Sequence, residues 1–345
     1  MKKQIQLIVF FVFIMLVVPL IPLIGESNNL QETQSNHSKV ENTSSLSSNT
    51  NTSDTANSEE EITIYHHTTQ QIQTLPMKEY IKGVVCAEIP AGFHEEAIKA
   101  QAVIAHTYAL RIQNNLAQSP DESLKGAQIS TDPDKHQAYF TPEEIKKRYG
   151  KQYDTYWQKV SNCVDAVINQ VVTYQDQPII AAFHSISNGS TENPEYVWGQ
   201  SVPYLIPIAS EGDASSPHYK STEYFSEKQV RSILQQQYPN ISFSEDKSQW
   251  FSIQSNTPGG YVDQVSVLGQ QTNGQEIRKL FGLKSASFTV AYQDNQFLFT
   301  TWGYGHGVGL SQYGADYYAK QGMTYDQILA HYYPNTTLTT LTAST

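Results

Sequence analysis

Residues 77–110 read MKEYIKGVVCAEIPAGFHEEAIKAQAVIAHTYAL, and the fold turns on the break in the middle of this run. Met77, Tyr80, Ile81, Val84 and Val85 recur at helical spacing, and Thr74 and Pro76 just upstream mark a helix start. Pro90 ends that helix, because a proline drives the residue before it, Ile89, out of the α region. The stretch FHEEAIKAQAVIAHTYALRIQ then resumes as a second helix, acidic in its first turn through Glu95 and Glu96. It should end near Arg111, as the helix dipole prefers. Two helices therefore meet at a corner, and Glu88 sits on it.

Working outward, EITIYHHTT at 61–69 alternates like a strand. QVVTYQDQPIIAAFHSISNG reads as two strands around Gln175–Gln177. GYVDQVSVLGQQTNGQEIRKLFG offers a further strand with a turn signal at Asn273-Gly274, and SFTVAYQDNQFLFTTWG a hairpin turning at Asp294-Asn295. The closing MTYDQILAHYYP opens with a capping box, Thr324 with Gln327, and ends before Pro334. Helices gather early and antiparallel hairpins late, which predicts an α+β fold around a cleft rather than alternating βαβ units.

The N-terminus is of another kind. Lys2 and Lys3 precede an uncharged, mostly apolar run from Ile5 to Ile24, long enough to cross a bilayer, with the lysines on the cytoplasmic side. A cleaved secretory signal is the alternative, but such signals have shorter apolar cores and an Ala-x-Ala-like site, which is absent. Residues 1–26 are thus expected to be a transmembrane anchor. Residues 27–59, rich in Ser, Asn, Thr and Gln, are expected to be a disordered tether that leaves 60–345 as the folded domain. As a flexible coil of about 32 residues the tether spans roughly 30 Å.

Composition narrows the partners. A net charge of −11 on 345 residues, with no cluster of Lys and Arg, argues against nucleic acid and leaves a neutral polymer or a protein. Cys86 and Cys163 fit no metal or redox spacing; they either form one bridge or fill small buried apolar positions.

Several chemistries fail on inspection. HEEAI at 94–98 lacks the second His of a zincin, SISNG around Ser187 lacks the first Gly of a nucleophile elbow, and GYGHGVG at 303–309 fits neither a dinucleotide fingerprint nor a P-loop. Glycine at every second position lets a backbone or a ligand approach closely, so the run reads either as tight packing or as a site carried by His306. His184, Ser185 and Ser187 follow a strand on a loop that can present polar groups, although ordinary turn chemistry explains them as well. His136 in DPDKHQAYF is similarly ambiguous. The 22 tyrosines suit carbohydrate binding or a plain aromatic core.

Glu88 is the strongest single candidate. The C-terminus of a helix disfavours negative charge, and Ile89 and Phe93 nearby would desolvate the carboxyl. Both effects raise its pKa toward that of a general acid working near neutrality. The alternative is a solvated glutamate at a fraying helix end.

Taken together, MKEYIKGVVCAEIPAGFHEEAIKAQAVIAHTYAL, DPDKHQAYF, AFHSISNGSTENPEYVWG, YLIPIAS, IRKLFGLKSASFTV and WGYGHGVGLSQYGADYYAKQGMTYDQILAHYY resemble the stage II sporulation protein D family, which shares a domain with amidase enhancers. The pieces run in the family's order and cover nearly the whole chain from about residue 60. The resemblance implies a lytic transglycosylase that cuts peptidoglycan glycan strands during forespore engulfment, preferring strands stripped of their stem peptides. It needs no cofactor. It also implies a location on the mother-cell engulfing membrane, held by the N-terminal helix with the catalytic domain outside the cytoplasm. A sporulation amidase and a membrane scaffold protein are its implied partners.

By motif the catalytic acid falls on Glu88. His106, Tyr108, Gln137, Tyr139, His184, Ser187, Glu192, His306 and Gln312 are the implied substrate-binding residues, with Tyr108 and Tyr139 as sugar platforms. Two departures stand out: His106 where relatives commonly carry Arg, and Ser187-Asn188-Gly189 where they carry SGG. Some relatives hold zinc near the HQAY segment, but Thr131 and Asp132 offer no thiolate, so no metal site is expected. A non-catalytic amidase enhancer that binds glycan is the second reading, and it would need no tuned acid at position 88.

Overall fold

The computed structural model describes residues 60–342. The expected anchor and tether lie outside the described residues. Among the described residues no helix is long and apolar enough to cross a membrane.

The chain opens with a hairpin, β1 (Glu61–His66) and β2 (Gln71–Pro76), paired antiparallel from Glu61↔Pro76 to His66↔Gln71. The alternation in β1 turns Ile62 and Ile64 inward, where neither keeps any exposure. Thr74 is a cross-strand partner of Thr63, their hydroxyls 2.9 Å apart, and Pro76 is the last strand residue before the helix. Pro76 is also the N-cap of the helix that follows, so the helix starts where these residues predict, while Thr74 itself belongs to the strand. The first helix, α1 (Met77–Glu88), buries Met77, Tyr80, Ile81, Val84 and Val85, the positions its periodicity selects. It stops where Ile89 turns extended (φ −119°, ψ 141°) ahead of Pro90.

The second helix, α2 (Glu95–Gln118), is capped by His94, whose side chain accepts from Glu96 N–H. It runs two turns beyond the expected end at Arg111. Arg111 does not cap the last turn, because its guanidinium reaches sideways to the Pro178 carbonyl (2.7 Å) and ties the helix to the strands behind it. A short β3 (Ile129–Ser130) pairs parallel with β1. Then come α3 (Pro142–Tyr149), α4 (Tyr153–Val167), β4 (Gln170–Tyr174) and β5 (Gln177–Pro178), the last two turning through Gln175 and Asp176 at positive φ. Next are β6 (Phe183–His184) and the single-turn α5 (Glu195–Trp198).

Residues 220–302 build around a core of their own. Here β7 (Lys220–Ser226) precedes α6 (Glu227–Gln237); β8 (Phe251–Asn256), β9 (Val262–Val267) and β10 (Gln270–Asn273) form one sheet. After α7 (Gly274–Phe281), β11 (Phe288–Gln293) and β12 (Gln296–Trp302) join β7 in a second sheet. Trp250, Val265, Ile277, Phe297 and Phe299 fill the space between them. The hairpin turn at Asp294-Asn295 is as expected, with both residues at positive φ. Asn273-Gly274 is not a turn. Asn273 caps α7 by accepting from Glu276 N–H (2.9 Å), and Gly274 lies so close to Val262 that a Cβ would sit 2.2 Å from its carbonyl oxygen.

The C-terminal segment returns to the first core. There β13 (Leu310–Ser311) pairs parallel with β6, and α8 (Gln312–Lys320) and α9 (Tyr325–Tyr332) follow; β14 (Thr337–Thr340) pairs antiparallel with β4. Leu310, Ala315, Leu329 and Tyr333 thereby join Ile81, Val103 and Ile104 in one cluster. The domain is mixed α+β, with its second core inserted between two halves of the first. Both cysteines are buried and free, and burial pushes both thiols up to about 11.

Candidate active site

Glu88 ends α1 with only 8% of its surface exposed, so it is not a fraying, solvated residue. The Ala138 N–H donates to its Oε1 at 2.9 Å, while Oε2 is buried with no hydrogen-bond partner among the described residues. Burial pushes the carboxyl up to about 7, against the pull of the Ala138 N–H. The segment that supplies this N–H is held against α1 by Phe140 N donating to the Gly83 carbonyl (3.2 Å). Gly83 makes this possible, because a Cβ there would lie 2.3 Å from the Tyr139 ring. Tyr139 is half-buried, stacked on Tyr80 at 5.6 Å and edge-on to His66. The Tyr80 hydroxyl faces Gln137 Oε1 at 3.5 Å, and Gln137 Nε2 is buried without a partner.

Tyr108 is 7% exposed, and its hydroxyl is pushed well above the usual range by burial and by Glu88. Gln101 lies two turns before it on the same face of α2, and Gln312 Nε2 donates to Gln101 Oε1 at 3.3 Å. Gln312 thus joins the start of α8 to α2 through Gln101, and Tyr108 on the same helix lies within electrostatic reach of Glu88. His106 is buried elsewhere on α2, its Nε2 3.4 Å from Glu60 Oε2 ahead of β1.

The other expected site residues gather around the glycine run. All four of Gly303, Gly305, Gly307 and Gly309 have positive φ. A Cβ on each would collide in turn with the Ile186 carbonyl, the His184 side chain, the Tyr261 hydroxyl and the Ala182 carbonyl. The alternation is therefore the contact edge of a backbone laid on residues 182–187 and the Tyr261 ring, and it leaves His306 to project between glycines.

His184 Nδ1 lies 3.1 Å from the Val308 carbonyl, which can only accept, so the proton is on Nδ1 and Nε2 is a bare lone pair. His306 Nδ1 accepts from Val308 N–H (3.0 Å), which puts its proton on Nε2. Both Nε2 atoms are buried and unpartnered, and the rings stand 5.7 Å apart. Burial holds His184 down to about 4 and His306 well below the usual imidazole range, with Arg278 adding to both.

Ser187 and Glu192 are tied into the framework. Ser187 Oγ and N–H both donate to Asp213 Oδ2, while Ser311 Oγ donates to Oδ1 at 2.6 Å. Glu192 accepts from Asn193 N–H on one oxygen and from Thr257 Oγ1 on the other. Burial raises both carboxyls, and these donors oppose it. Asn188 keeps an ordinary φ; Gly189, at +110°, provides the left-handed step, so the departure from SGG leaves the turn intact. His136 is buried, with Nδ1 accepting from Ser130 N–H, and no group of three His, Cys, Asp or Glu side chains able to hold a metal occurs among the described residues. Sequence reasoning passed over the Ala138 N–H, Gln101, Asp213, Arg278 and Trp198. Only Arg278, a cation beside Ile277 on the buried face of α7, carried a readable signal.

Residues 65–174 match the family described as stage II sporulation protein. The chain is 37% identical over 275 residues to stage II sporulation protein D of Bacillus subtilis, covering 80% of this chain and 78% of that protein. It is 36% identical over 272 residues to the Bacillus amyloliquefaciens protein of the same name, covering 79% and 76%. A more distant relative is the amidase enhancer of Bacillus subtilis, 26% identical over 313 residues, or 75% of this chain and 40% of that one.

Proposed function

The chain belongs to the stage II sporulation protein D family, and from that premise we propose that it is a lytic transglycosylase of peptidoglycan glycan strands, with Glu88 as its general acid and base. One observation carries the proposal: a buried carboxyl raised to about 7 has one oxygen held by Ala138 and the other unengaged. Such a group keeps its proton close to neutral pH and has a free oxygen from which to deliver it.

In this reading Glu88 protonates the bridging glycosidic oxygen as the C1–O bond breaks. The resulting carboxylate then takes the proton of the sugar's own C6 hydroxyl while O6 bonds to C1, closing a 1,6-anhydro ring and restoring the acid. A hydrolase would need a second carboxylate to position water. Glu192 does not suit that part, since both of its oxygens already accept hydrogen bonds. Tyr139 and Tyr108 beside Glu88, with Gln137 and Gln312, are the proposed sugar contacts, and the N-terminal run is the proposed membrane anchor.

The test is to incubate the purified protein with peptide-free glycan strands and weigh the products. Fragments ending in 1,6-anhydro sugars, one water lighter than reducing ends and absent with Glu88→Gln, are expected. Reducing ends would make the protein a hydrolase. The amidase enhancer relative favours one alternative, activation of an amidase without cutting. An inert wild type that still stimulates an amidase would establish that role instead.

A further inference from the structure

Arg278, in the last turn of α7, is 3% exposed, and among the described residues no carboxylate or hydrogen-bond acceptor engages its side chain; Nε is fully buried and unpartnered. Burial lowers its pKa to about 10, so the guanidinium stays charged at neutral pH. A withdrawn cation without a counter-charge is strongly unfavourable unless something else supplies the anion.

The surroundings are those of the glycine run. The loop after α7 is clamped to the glycine run by Gly305 N–H donating to the Lys284 carbonyl (3.0 Å), Trp302 N–H to the Ser287 carbonyl (2.9 Å), and Ser285 Oγ to the Trp302 carbonyl. Arg278 is within electrostatic reach of Tyr261, Tyr304, His184 and His306. Trp198 stands edge-on to His306 at 5.5 Å, and its Nε1–H is likewise buried without a partner. Trp198, Tyr304 and Gly305 keep partial exposure, so the cluster lies just below the surface. Lys284 is occupied over the Tyr304 ring.

We propose that Arg278, together with the His306 Nε2–H and with the Trp198 Nε1–H next to His306, is a subsite for one carboxylate of the glycan, the lactyl carboxylate of a muramic residue that bears no stem peptide. This rests on the glycan reading above. A stem peptide converts that carboxylate into a neutral amide, removing the charge and adding bulk; the free acid supplies the missing counter-charge to a planar, forked donor. With both imidazoles held neutral, the site carries one positive charge and matches one negative charge.

The experiment uses the Glu88→Gln protein, which holds substrate without turnover, and measures binding of a peptide-free glycan tetrasaccharide, its carboxyl methylamide, and a chitin tetrasaccharide lacking the lactyl group. The acid is expected to bind roughly ten- to hundredfold more tightly than the methylamide, as a charge-assisted pair implies. Adding Arg278→Met should close that gap and leave the methylamide affinity in place, while Arg278→Lys should keep part of it. Thermal unfolding of each variant checks the fold, and the acid-to-amide comparison in the parent needs no Arg278 variant. Equal binding of all three saccharides by the parent, or an unchanged gap in Arg278→Met, overturns the subsite but leaves the glycan reading standing. Absence of binding to any saccharide overturns both.

Discussion

Glu88 and Asp213 are both carboxyls withdrawn from water, and burial raises the pKa of each. Their surroundings differ in one respect. Asp213 receives Ser187 Oγ, Ser187 N–H and Ser311 Oγ, so both oxygens are engaged and three segments of chain are tied together. Glu88 receives one backbone N–H and keeps an oxygen unengaged. Burial alone therefore does not single out Glu88 as the candidate acid; the unsatisfied oxygen does.

The comparison is most exposed to failure at Glu88 itself. Glu88→Gln should reduce glycan cleavage by about 10²–10⁴-fold or more with binding retained, measured as released fragments per time. Full activity in that variant would put Glu88 in the same class as Asp213. Asp213→Ala should do the opposite kind of damage. It strands two hydroxyls and an N–H in the interior and should lower stability by about 4 kcal/mol, read from denaturant midpoints. An unaltered midpoint would show that the serine network contributes little.

A pH series sharpens the contrast. Below about pH 4.5 Glu88 is protonated folded and unfolded, so its burial has no pH-linked cost. Between about 4.5 and 7 the unfolded chain ionises first, and the folded state loses stability as pH rises, by up to about 3 kcal/mol once both forms are ionised. Glu88→Gln removes this penalty, so its stability advantage over wild type should grow across that window and level off above it, while wild-type cleavage declines above about pH 7. A flat difference would mean that the carboxyl titrates normally.

Smaller effects separate the backbones of the two regions. Gly189, in the Ser187–Asp213 turn, has φ +110° and no atom closer than 3.9 Å to a prospective Cβ, so Gly189→Ala should cost about 1–2 kcal/mol through strain alone. Gly92, in the Glu88 corner, is exposed, with nothing within 4 Å and no positive φ. Gly92→Ala should fall within about 0.5 kcal/mol of wild type in thermal unfolding.

What was legible in the sequence follows the range of the interaction responsible. The helix corner at Ile89-Pro90 and the turn at Asp294-Asn295 are written in adjacent residues, and both stand as expected. Asn273-Gly274 misled because its signal has two meanings: Asn before Gly also caps a helix, and Val262 on β9 decided between them. Pro76 shows two meanings at once, ending β2 and capping α1, while Thr74 is held in the strand by Thr63. Glu88 stood out because helix and proline alone put it at a corner. Asp213 did not, since it reads as one more polar residue in SEGDASS, and its role exists only once Ser187 and Ser311, 26 and 98 positions away, close on it.

The return of β13 to β6 also sets a clock on biosynthesis. Ser311 Oγ reaches the Ser185 carbonyl across 126 positions, and Gln312 reaches Gln101 across 211. The segment between them can collapse on its own aromatic core while the first core still waits for its C-terminal members. A chain interrupted before Leu310 would possess Glu88 and the glycine run but neither β13, which pairs with β6 at Phe183 and His184, nor Gln312, the partner of Gln101. On the wall-cutting reading proposed above, the candidate site is thereby kept incomplete until nearly the last residues have emerged.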